Sequence, residues 1–235
     1  MPGDHAELRH LVAKANNEVA AAGLVVHAFG NASQVDRDGG VFAIKPSGLR
    51  CEEVTGDDIV VVALDSGEVV WGDHRPSSDT PTHRAIFNGM DQVGGVVHTH
   101  SRFATAWAQA RTPIPCLGTT HADHFRGPIP VTRPLSDDEI GGDYEANTGR
   151  VIVEMYGPDG LDNDEAPGAL VASHGPFAWG PDAASAVKMA AAVEVIAELA
   201  LHTLAIDPGR PPIEESLLER HFSRKHGPLA YYGQP

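Results

Sequence analysis

Two histidines on a predicted strand have the residue type and spacing that bind metals. His98 and His100 are separated by one residue and follow the apolar pair Val96-Val97. Side chains two positions apart on a strand face the same way, so both imidazoles converge on one face. Two imidazoles placed in this way suit a divalent metal, whereas burying them without partners is costly. The pair predicts a metal site, and the alternative is two structural histidines at the edge of the core.

Two further residues could complete the ligand set. His174 lies where a predicted strand ends at Gly175-Pro176, and strand ends of this kind often carry functional side chains. Asp79 stands at the start of a predicted helix and could add an anionic oxygen to a tetrahedral site. The alternative role of Asp79 is a simple helix N-cap, which its position alone favours.

A second group of residues has the composition of an anion site. Glycines expose backbone N–H groups, serines add hydroxyl donors, and a helix N-terminus favours negative charge. The segments concerned are Gly30-Asn31, Lys45-Pro46-Ser47-Gly48 and Ser77-Ser78. Together they could bind a phosphate, with Lys45 supplying positive charge, although each segment taken singly is more often a turn. No Walker sequence and no Gly-x-Gly-x-x-Gly occurs, so nucleotides are not indicated.

The segment 119–124 is polar and contains a candidate proton carrier. Asp123 follows a predicted strand and could act as a general acid or base. The alternative is a loop whose polar side chains satisfy its own backbone.

The composition excludes several classes of function. The chain has 235 residues and a formal net charge of −15, which repels phosphate backbones and anionic lipids. It has 13 histidines and two cysteines, and two cysteines do not make a disulfide framework. The first residues lack the apolar core of a signal peptide, and the apolar stretch 183–206 contains four interrupting polar residues. We therefore expect a cytoplasmic protein that binds neither nucleic acid nor membranes.

Hydrophobic periodicity and turn signals predict the elements that position these residues. Helices are predicted at 8–22, from 77 to about 90, at 102–109, 183–203 and 213–225. Strands are predicted at 25–35, 41–46, 59–64, 69–72, 94–99, 114–119, 151–155 and 169–173. Short turns join several successive strands, which favours antiparallel pairing. Strands flanked by helices predict a single α/β domain over residues 1–235.

Seven ordered motifs resemble the class II aldolase/adducin family over essentially the whole chain. They are Gly30-Asn31-x-Ser33, Lys45–Gly48, Ser77–His83, His98–Ser101, Gly118–Asp123, Ser173–Gly180 and the ending Arg224-Lys-His-Gly…Tyr231-Tyr-Gly-Gln234. The motifs are most similar to those of the family members that epimerise pentulose 5-phosphates. The resemblance implies an α/β/α fold with a largely antiparallel sheet, and a homotetramer with active sites at subunit interfaces.

The resemblance also implies roles for particular residues. It implies a site for Zn²⁺, or another divalent metal, formed by Asp79, His98, His100 and His174. The substrate phosphate would lie against Gly30, Asn31, Ser47, Gly48, Ser77 and Ser78, with Lys45 close by. Asp123 and Tyr232 would exchange protons with the substrate, Tyr232 coming from a neighbouring subunit. Glu145 and His221 match positions near the site. Phe29, where tryptophan is usual, and His124 and Arg126, where aromatics are usual, depart from the family pattern.

The implied reaction interconverts L-ribulose 5-phosphate and D-xylulose 5-phosphate by cleaving and reforming the C3–C4 bond. One alternative is a class II sugar-phosphate aldolase of the L-fuculose 1-phosphate type, but such relatives typically carry glutamate where this chain has Asp79. Another alternative is a non-catalytic, adducin-like binding domain. That module should have lost some ligands, whereas all four candidates are present here.

Overall fold

The computed structural model describes residues 4–25, 27–156, 160–226 and 230–232. Within these residues a seven-stranded sheet has the order β4-β3-β2-β1-β5-β7-β6, and every pair of neighbouring strands is antiparallel. The strands are β1 (Asn31–Asp36), β2 (Val41–Ile44), β3 (Val60–Ala63), β4 (Val69–Trp71), β5 (Gly95–His98), β6 (Gly168–Leu170) and β7 (Pro176–Gly180).

Helices cover both faces of the sheet. They are α1 (Ala6–Ala21), α2 (Thr80–Gly89), α3 (Arg102–Ala110), α4 (Thr119–Ala122), α5 (Asp137–Gly141), α6 (Tyr144–Val153), α7 (Ala183–Ile206) and α8 (Glu215–Lys225). Single 3-10 turns occur at Cys51–Glu53 and Glu154–Tyr156.

The two faces of the sheet carry side chains of different size. Small residues such as Ala32 and Ala178 face α1 and the first half of α7, which lie close to the strands. Larger residues, among them Phe42, Val96 and Phe177, belong to the core on the other face, with α2, α3 and α6. This alternation follows from the two-residue period of a strand. The predicted α/β/α fold with a largely antiparallel sheet is confirmed.

The structure differs from the sequence prediction in two segments that had been expected to form strands. Residues 151–155 belong to α6 and the turn after it, because the buried positions from Asn147 to Ile152 follow helical spacing. In segment 114–119, Ile114 makes only an isolated bridge to Ile129, and Thr119 begins α4. Short apolar runs fit a strand or a buried helix equally well, and tertiary packing decided both cases. Strand β7 and helices α4, α5 and α6 were not predicted.

Helix α7 is, among the described residues, the one helix long and apolar enough to cross a membrane. The four polar residues in this segment predicted that it does not span a membrane. By length and composition alone, however, they do not exclude a span. In the fold, Ala186, Val187 and Ala190 of this helix pack against the sheet and α1.

A glycine sets the distance between α2 and α6. A Cβ at Gly149 would lie 2.6 Å from Ala85 Cβ and 2.7 Å from the carbonyl oxygen of Thr82. Thr82 Oγ1 donates a hydrogen bond of 2.6 Å to the carbonyl oxygen of Glu145 at the start of α6. Close packing of the two helices therefore places the first turn of α6 beside the first turn of α2.

Gly149→Ala should destabilise the protein. Alanine favours a helix over glycine by about 1 kcal/mol, but the added methyl group meets backbone and should cost about 1–3 kcal/mol in overpacking. The measurement is the free energy of unfolding from urea denaturation. Gly141→Ala is the matched control, because Gly141 is also helical and its Cβ would have no neighbour within 4 Å. A Gly149→Ala protein as stable as the control would contradict this account of the helix contact.

Candidate metal and substrate site

Three histidines meet at one end of the sheet. His98 is the last residue of β5, His100 follows it, and His174 lies in the loop between β6 and β7. The ring centroids are 4.9 Å apart for His98 and His100, 4.8 Å for His98 and His174, and 5.1 Å for His100 and His174. One ligand nitrogen from each ring lies within 4.8 Å of the others. The structure therefore brings together the three imidazoles that the sequence had predicted as ligands.

The neighbours of His98 orient its ring. Its Nδ1 lies 3.0 Å from the carbonyl oxygen of Pro176, which can only accept, so Nδ1 carries the proton and Nε2 keeps its lone pair. The ring also stacks on Phe177, with centroids 4.1 Å apart and an interplanar angle of 13°. A metal-binding histidine is commonly fixed by a hydrogen bond of this kind.

Burial keeps the histidines neutral. It lowers the pKa of His98 to about 3, although the charge of Asp79 acts in the opposite direction. Burial also lowers the pKa of His100 and of His174. At neutral pH all three therefore offer a lone pair, and neutral imidazole is the form that binds metals. This donor set fits Zn²⁺ or another divalent ion that accepts nitrogen ligands.

Asp79 lies in the same cavity, but its carboxylate is held by Asn31. The Nδ2 atom of Asn31 donates to Asp79 Oδ2 at 2.6 Å and to Ser77 Oγ at 3.1 Å. Burial alone would raise the pKa of Asp79, but His98, His83 and the hydrogen bond from Asn31 outweigh it and lower the pKa. Asp79 occupies the N-cap position of α2 without capping it through its side chain, so its carboxylate serves the cavity and not the helix end.

One cavity of about 420 Å³ contains the histidines and the predicted phosphate residues together. Beside the three histidines and Asp79, its lining includes Gly30, Asn31, Lys45, Ser47, Gly48, Ser77, Ser78 and Glu145. Gly30 has φ of 101°, and a Cβ there would lie 2.9 Å from the carbonyl oxygen of His98. Only glycine therefore allows the backbone before β1 to approach β5 this closely.

Lys45 is buried beneath the cavity and orders the loop after β2. Its Nζ donates to the carbonyl oxygens of Leu49 at 2.6 Å and Pro46 at 3.2 Å. Burial lowers the pKa of Lys45, while the charges of Cys51 and Asp79 raise it. The lysine thus shapes the Ser47-Gly48 turn.

Two aromatic residues of the cavity lay outside the predicted site set. The Tyr144 hydroxyl is 3.4 Å from His174 Nδ1, and the two rings are nearly parallel with centroids 6.3 Å apart. Tyr144 was missed because its segment shows no motif of its own beyond Glu145. Phe29, noted only as a departure from the family pattern, lies against His100 with ring centroids 6.2 Å apart.

The structure places the remaining predicted residues elsewhere. Asp123 Oδ1 is 3.0 Å from His221 Nδ1, and Asp123 also pairs with Arg224, whose guanidinium lies over the ring of Tyr232. Among the described residues that line the histidine cavity, Asp123, His221 and Tyr232 are absent. The sequence prediction had assigned Tyr232 alone to a neighbouring subunit. The structure instead groups Asp123 with Tyr232, because α8 packs against α4 and the tail, residues 230–232, hydrogen-bonds back to Arg224 of α8.

Comparison with known proteins gives concordant matches. The family model described as Class II Aldolase and Adducin N-terminal domain matches residues 10–201. The L-ribulose-5-phosphate 4-epimerase UlaF of Salmonella paratyphi A is 51% identical over 228 residues, which cover 97% of this chain and 99% of that protein.

Solved structures match the fold. An L-fuculose 1-phosphate aldolase has a TM-score of 0.75 at 24% identity, over 93% of this chain and 95% of its own. The L-fuculose 1-phosphate aldolase from Glaciozyma antarctica PI12 has a TM-score of 0.76 at 19% identity, over 96% and 84% of the two chains. The chain belongs to the class II aldolase/adducin family.

Proposed function

We propose that this protein is an L-ribulose-5-phosphate 4-epimerase, which interconverts L-ribulose 5-phosphate and D-xylulose 5-phosphate. The observation that carries the proposal is that one cavity is lined both by three histidines that could hold a metal and by the residues predicted to bind phosphate. The epimerase of Salmonella paratyphi A, at 51% identity over nearly the whole chain, supports the choice of substrate. The cavity, at about 420 Å³, has a size typical of small-molecule sites.

The chemistry of the substrate favours cleavage of a carbon–carbon bond. The C4 hydrogen is not adjacent to the C2 carbonyl, so its removal gives an unstabilised carbanion. Breaking the C3–C4 bond leaves the negative charge at C3, where it delocalises into the carbonyl. A divalent metal ion held by His98, His100 and His174, with Asp79 as a further ligand, supplies a Lewis acid for this oxygen-rich end of the substrate.

The phosphate residues hold the other fragment. Ser78, Gly48 and Asn31 line the same cavity as the histidines, and we assign the phosphate to this group. An anchored phosphate keeps glycolaldehyde phosphate bound while its carbonyl rotates to present the opposite face. Re-addition at that face inverts C4. Glu145 and Tyr144, at the start of α6, border the same space.

Two proton carriers complete the reaction in this proposal. Removing the C4 hydroxyl proton on one face and returning a proton on the other requires an acid and a base, which we assign to Asp123 and Tyr232. Both lie in the cluster on α4, α8 and the tail, away from the histidine cavity of their own chain. The cluster of one subunit therefore faces the cavity of its neighbour in the proposed tetramer, and His221 accompanies it.

Exposed apolar residues support a homotetramer. Several large side chains on α7 and α8 are 37–86% exposed in the single chain: Val195, Leu199, Leu201, Ile206 and Leu217. Val195 and Leu199 lie one turn apart on the same face of α7, and large exposed apolar residues that share a face commonly mark a protein interface. A cytoplasmic location is also part of the proposal, because a charged sugar phosphate does not cross a bilayer unaided.

The test of the function is a coupled assay for D-xylulose 5-phosphate formed from L-ribulose 5-phosphate, with and without a chelator. We expect activity that chelation removes. His98→Asn and His174→Asn should each lose bound metal and activity together, since each removes one of three converging nitrogens. Metal content is measured by mass spectrometry of the purified protein.

The exposed histidine His10 on α1 provides the control, because His10→Asn should leave metal and turnover unchanged. Far-UV circular dichroism should be the same for all variants. A His174→Asn protein with full metal and full turnover would show that the ligand assignment is wrong. Synthesis of a sugar 1-phosphate from dihydroxyacetone phosphate and an aldehyde, without epimerisation, would favour the aldolase alternative.

Ser78→Ala should raise KM for L-ribulose 5-phosphate and leave the metal in place. Ser78 is exposed in the cavity and no hydrogen bond of the fold depends on its hydroxyl among the described contacts, whereas Ser77 Oγ also accepts from Asn31. The lost hydrogen bond to a charged group corresponds to about 1.5–3 kcal/mol. Ser66→Ala, in the turn between β3 and β4, is the control. An unchanged KM would place the phosphate elsewhere.

Mixed tetramers should show which residues share a subunit. His174→Asn and Asp123→Asn chains are each expected to be inactive alone, and random co-assembly should restore about a quarter of the sites in a symmetric ring. Asp123→Asn mixed with Tyr232→Phe should stay inactive, because every cluster then lacks one proton carrier. Activity is measured after mass spectrometry has verified mixing. Recovery in the second mixture and not in the first would mean that Asp123 serves the cavity of its own chain.

A further inference from the structure

The carboxylate of Asp123 is held from one side by a single guanidinium. Arg224 Nη2 donates to Asp123 Oδ2 at 2.8 Å and Arg224 Nε donates to Oδ1 at 3.0 Å. The two hydrogen bonds form a bidentate pair, which fixes the plane of the carboxylate as well as its position. His221 Nδ1 makes a third contact with Oδ1 at 3.0 Å. The side chains of Asp123 and Arg224 are 13% and 23% exposed, so the pair is largely shielded from water.

The same arginine holds the tail that carries Tyr232. The guanidinium carbon of Arg224 lies 4.2 Å from the centroid of the Tyr232 ring, which is within the range of a cation–π contact. The carbonyl oxygen of Arg224 accepts hydrogen bonds from the backbone N–H groups of Tyr231 at 2.9 Å and Tyr232 at 3.0 Å. A short tail after the last helix is ordered only where it is tied down, and these contacts tie it to Arg224.

These contacts use three lone-pair directions of the Asp123 carboxylate, which has about four. Among the described hydrogen bonds Oδ2 accepts only from Arg224 Nη2, so its second lone-pair direction is the one that these contacts leave unused. A proton can therefore be taken up at one atom of Asp123 without breaking the pair. The Tyr232 ring lies on the face of the guanidinium whose edge holds Asp123.

We propose that Arg224 is the positioning residue that holds Asp123 and Tyr232 in a fixed arrangement and presents both proton carriers to the substrate as one unit. The inference rests on the proposed function, because Asp123 and Tyr232 are proton carriers only in that reaction. Arg224 is not among the described residues that line the histidine cavity of its own chain. Its effect passes through the two side chains that it orients.

The charges around Asp123 set its protonation state. Partial burial raises its pKa, but hydrogen bonds from Arg224 and His221, with the charges of Arg224 and Lys225, outweigh this and hold the pKa of Asp123 below its ordinary value. On the remaining sides His124 follows Asp123 in the chain and His226 Nε2 lies 3.1 Å from its carbonyl oxygen. Burial lowers the pKa of His124 to about 4, so His124 is neutral near pH 7. Arg224 is therefore the strongest of these partners and Asp123 is ionised at neutral pH.

The test compares Arg224→Gln and Arg224→Lys with the wild type. Arg224→Gln should lower kcat by about 100-fold, the loss that a misplacement of about 1 Å at a reacting group produces. It should also move the acid limb of the kcat/KM profile to higher pH, because Asp123 loses the charge that favours its ionised form. Arg224→Lys keeps a charge but not the fork, so we expect a lower kcat with the acid limb near its wild-type position. KM and metal content should stay close to wild type in both variants.

Arg126→Gln is the matched control. Arg126 also joins a loop to α8, through Glu219 at 2.6 Å, but contacts neither Asp123 nor Tyr232 among the described pairs. It should keep the wild-type kcat and pH profile. Wild-type kcat and an unshifted acid limb in Arg224→Gln would overturn the proposal, as would equal losses in Arg126→Gln. If Arg224→Gln does not fold, Arg224→Lys provides the test. A lower kcat at unchanged KM supports the proposal, and a wild-type kcat overturns it.

A measurement without turnover separates this inference from the proposed function. The carbon-13 signal of the Asp123 carboxyl, assigned with Asp123→Asn, is titrated in wild type and Arg224→Gln. A midpoint that rises in the variant supports the role of Arg224, and an unchanged midpoint overturns it, even if wild type shows no epimerase activity. Absence of that activity with a risen midpoint would refute the proposed function and leave the Arg224 contact standing.

Discussion

The site depends on the antiparallel pairing of β5 with β1 on one side and β7 on the other. The register sets Asn31 opposite His98 and His98 opposite Phe177. The pairing of Asn31 with His98 places a predicted phosphate residue beside a predicted metal ligand. The pairing of His98 with Phe177 lets the two rings stack, and the carbonyl oxygen of Pro176 fixes the tautomer of His98. A slip of one residue would turn His98 to the face covered by α1 and α7. The sheet register thus controls both halves of the cavity.

In the proposed function, an acidic protein binds a phosphate through the local arrangement of donors and not through its overall charge. The chain carries −15, yet the cavity collects hydroxyl and backbone donors around the buried Lys45. Local environment also sets the state of the histidines. Burial lowers their pKa values, so they are neutral and keep lone pairs for a metal. The proposed proton carriers lie in a second cluster built on α4 and α8. The chain therefore divides the two halves of the proposed chemistry between two surfaces, which a tetramer would join.

The residues of the cavity were predictable because their types carry the chemistry. The spacing of His98 and His100 predicts a ligand pair. The glycine and serine segments together predict an anion site, and this prediction does not depend on which helices or strands carry them. Positive φ at Gly30 and Gly48 agrees with glycine at both positions. The family resemblance ordered these segments along the chain. Arg224, Asp123 and Tyr232 also belong to motifs that the sequence shows. The contacts between these three residues could not be predicted from it.

Only the tertiary structure decided which groups lie together. Asp79 reads as a helix N-cap in the sequence, whereas the fold turns its carboxylate to Asn31, 48 positions away. Tyr144 lies in the site because Gly149 lets α6 pack closely on α2. These two helices are far apart in sequence. Arg224 holds Asp123 across 101 positions. Local spacing determines the type and strand face of a residue, but long-range packing, which depends on the whole core, determines its partners.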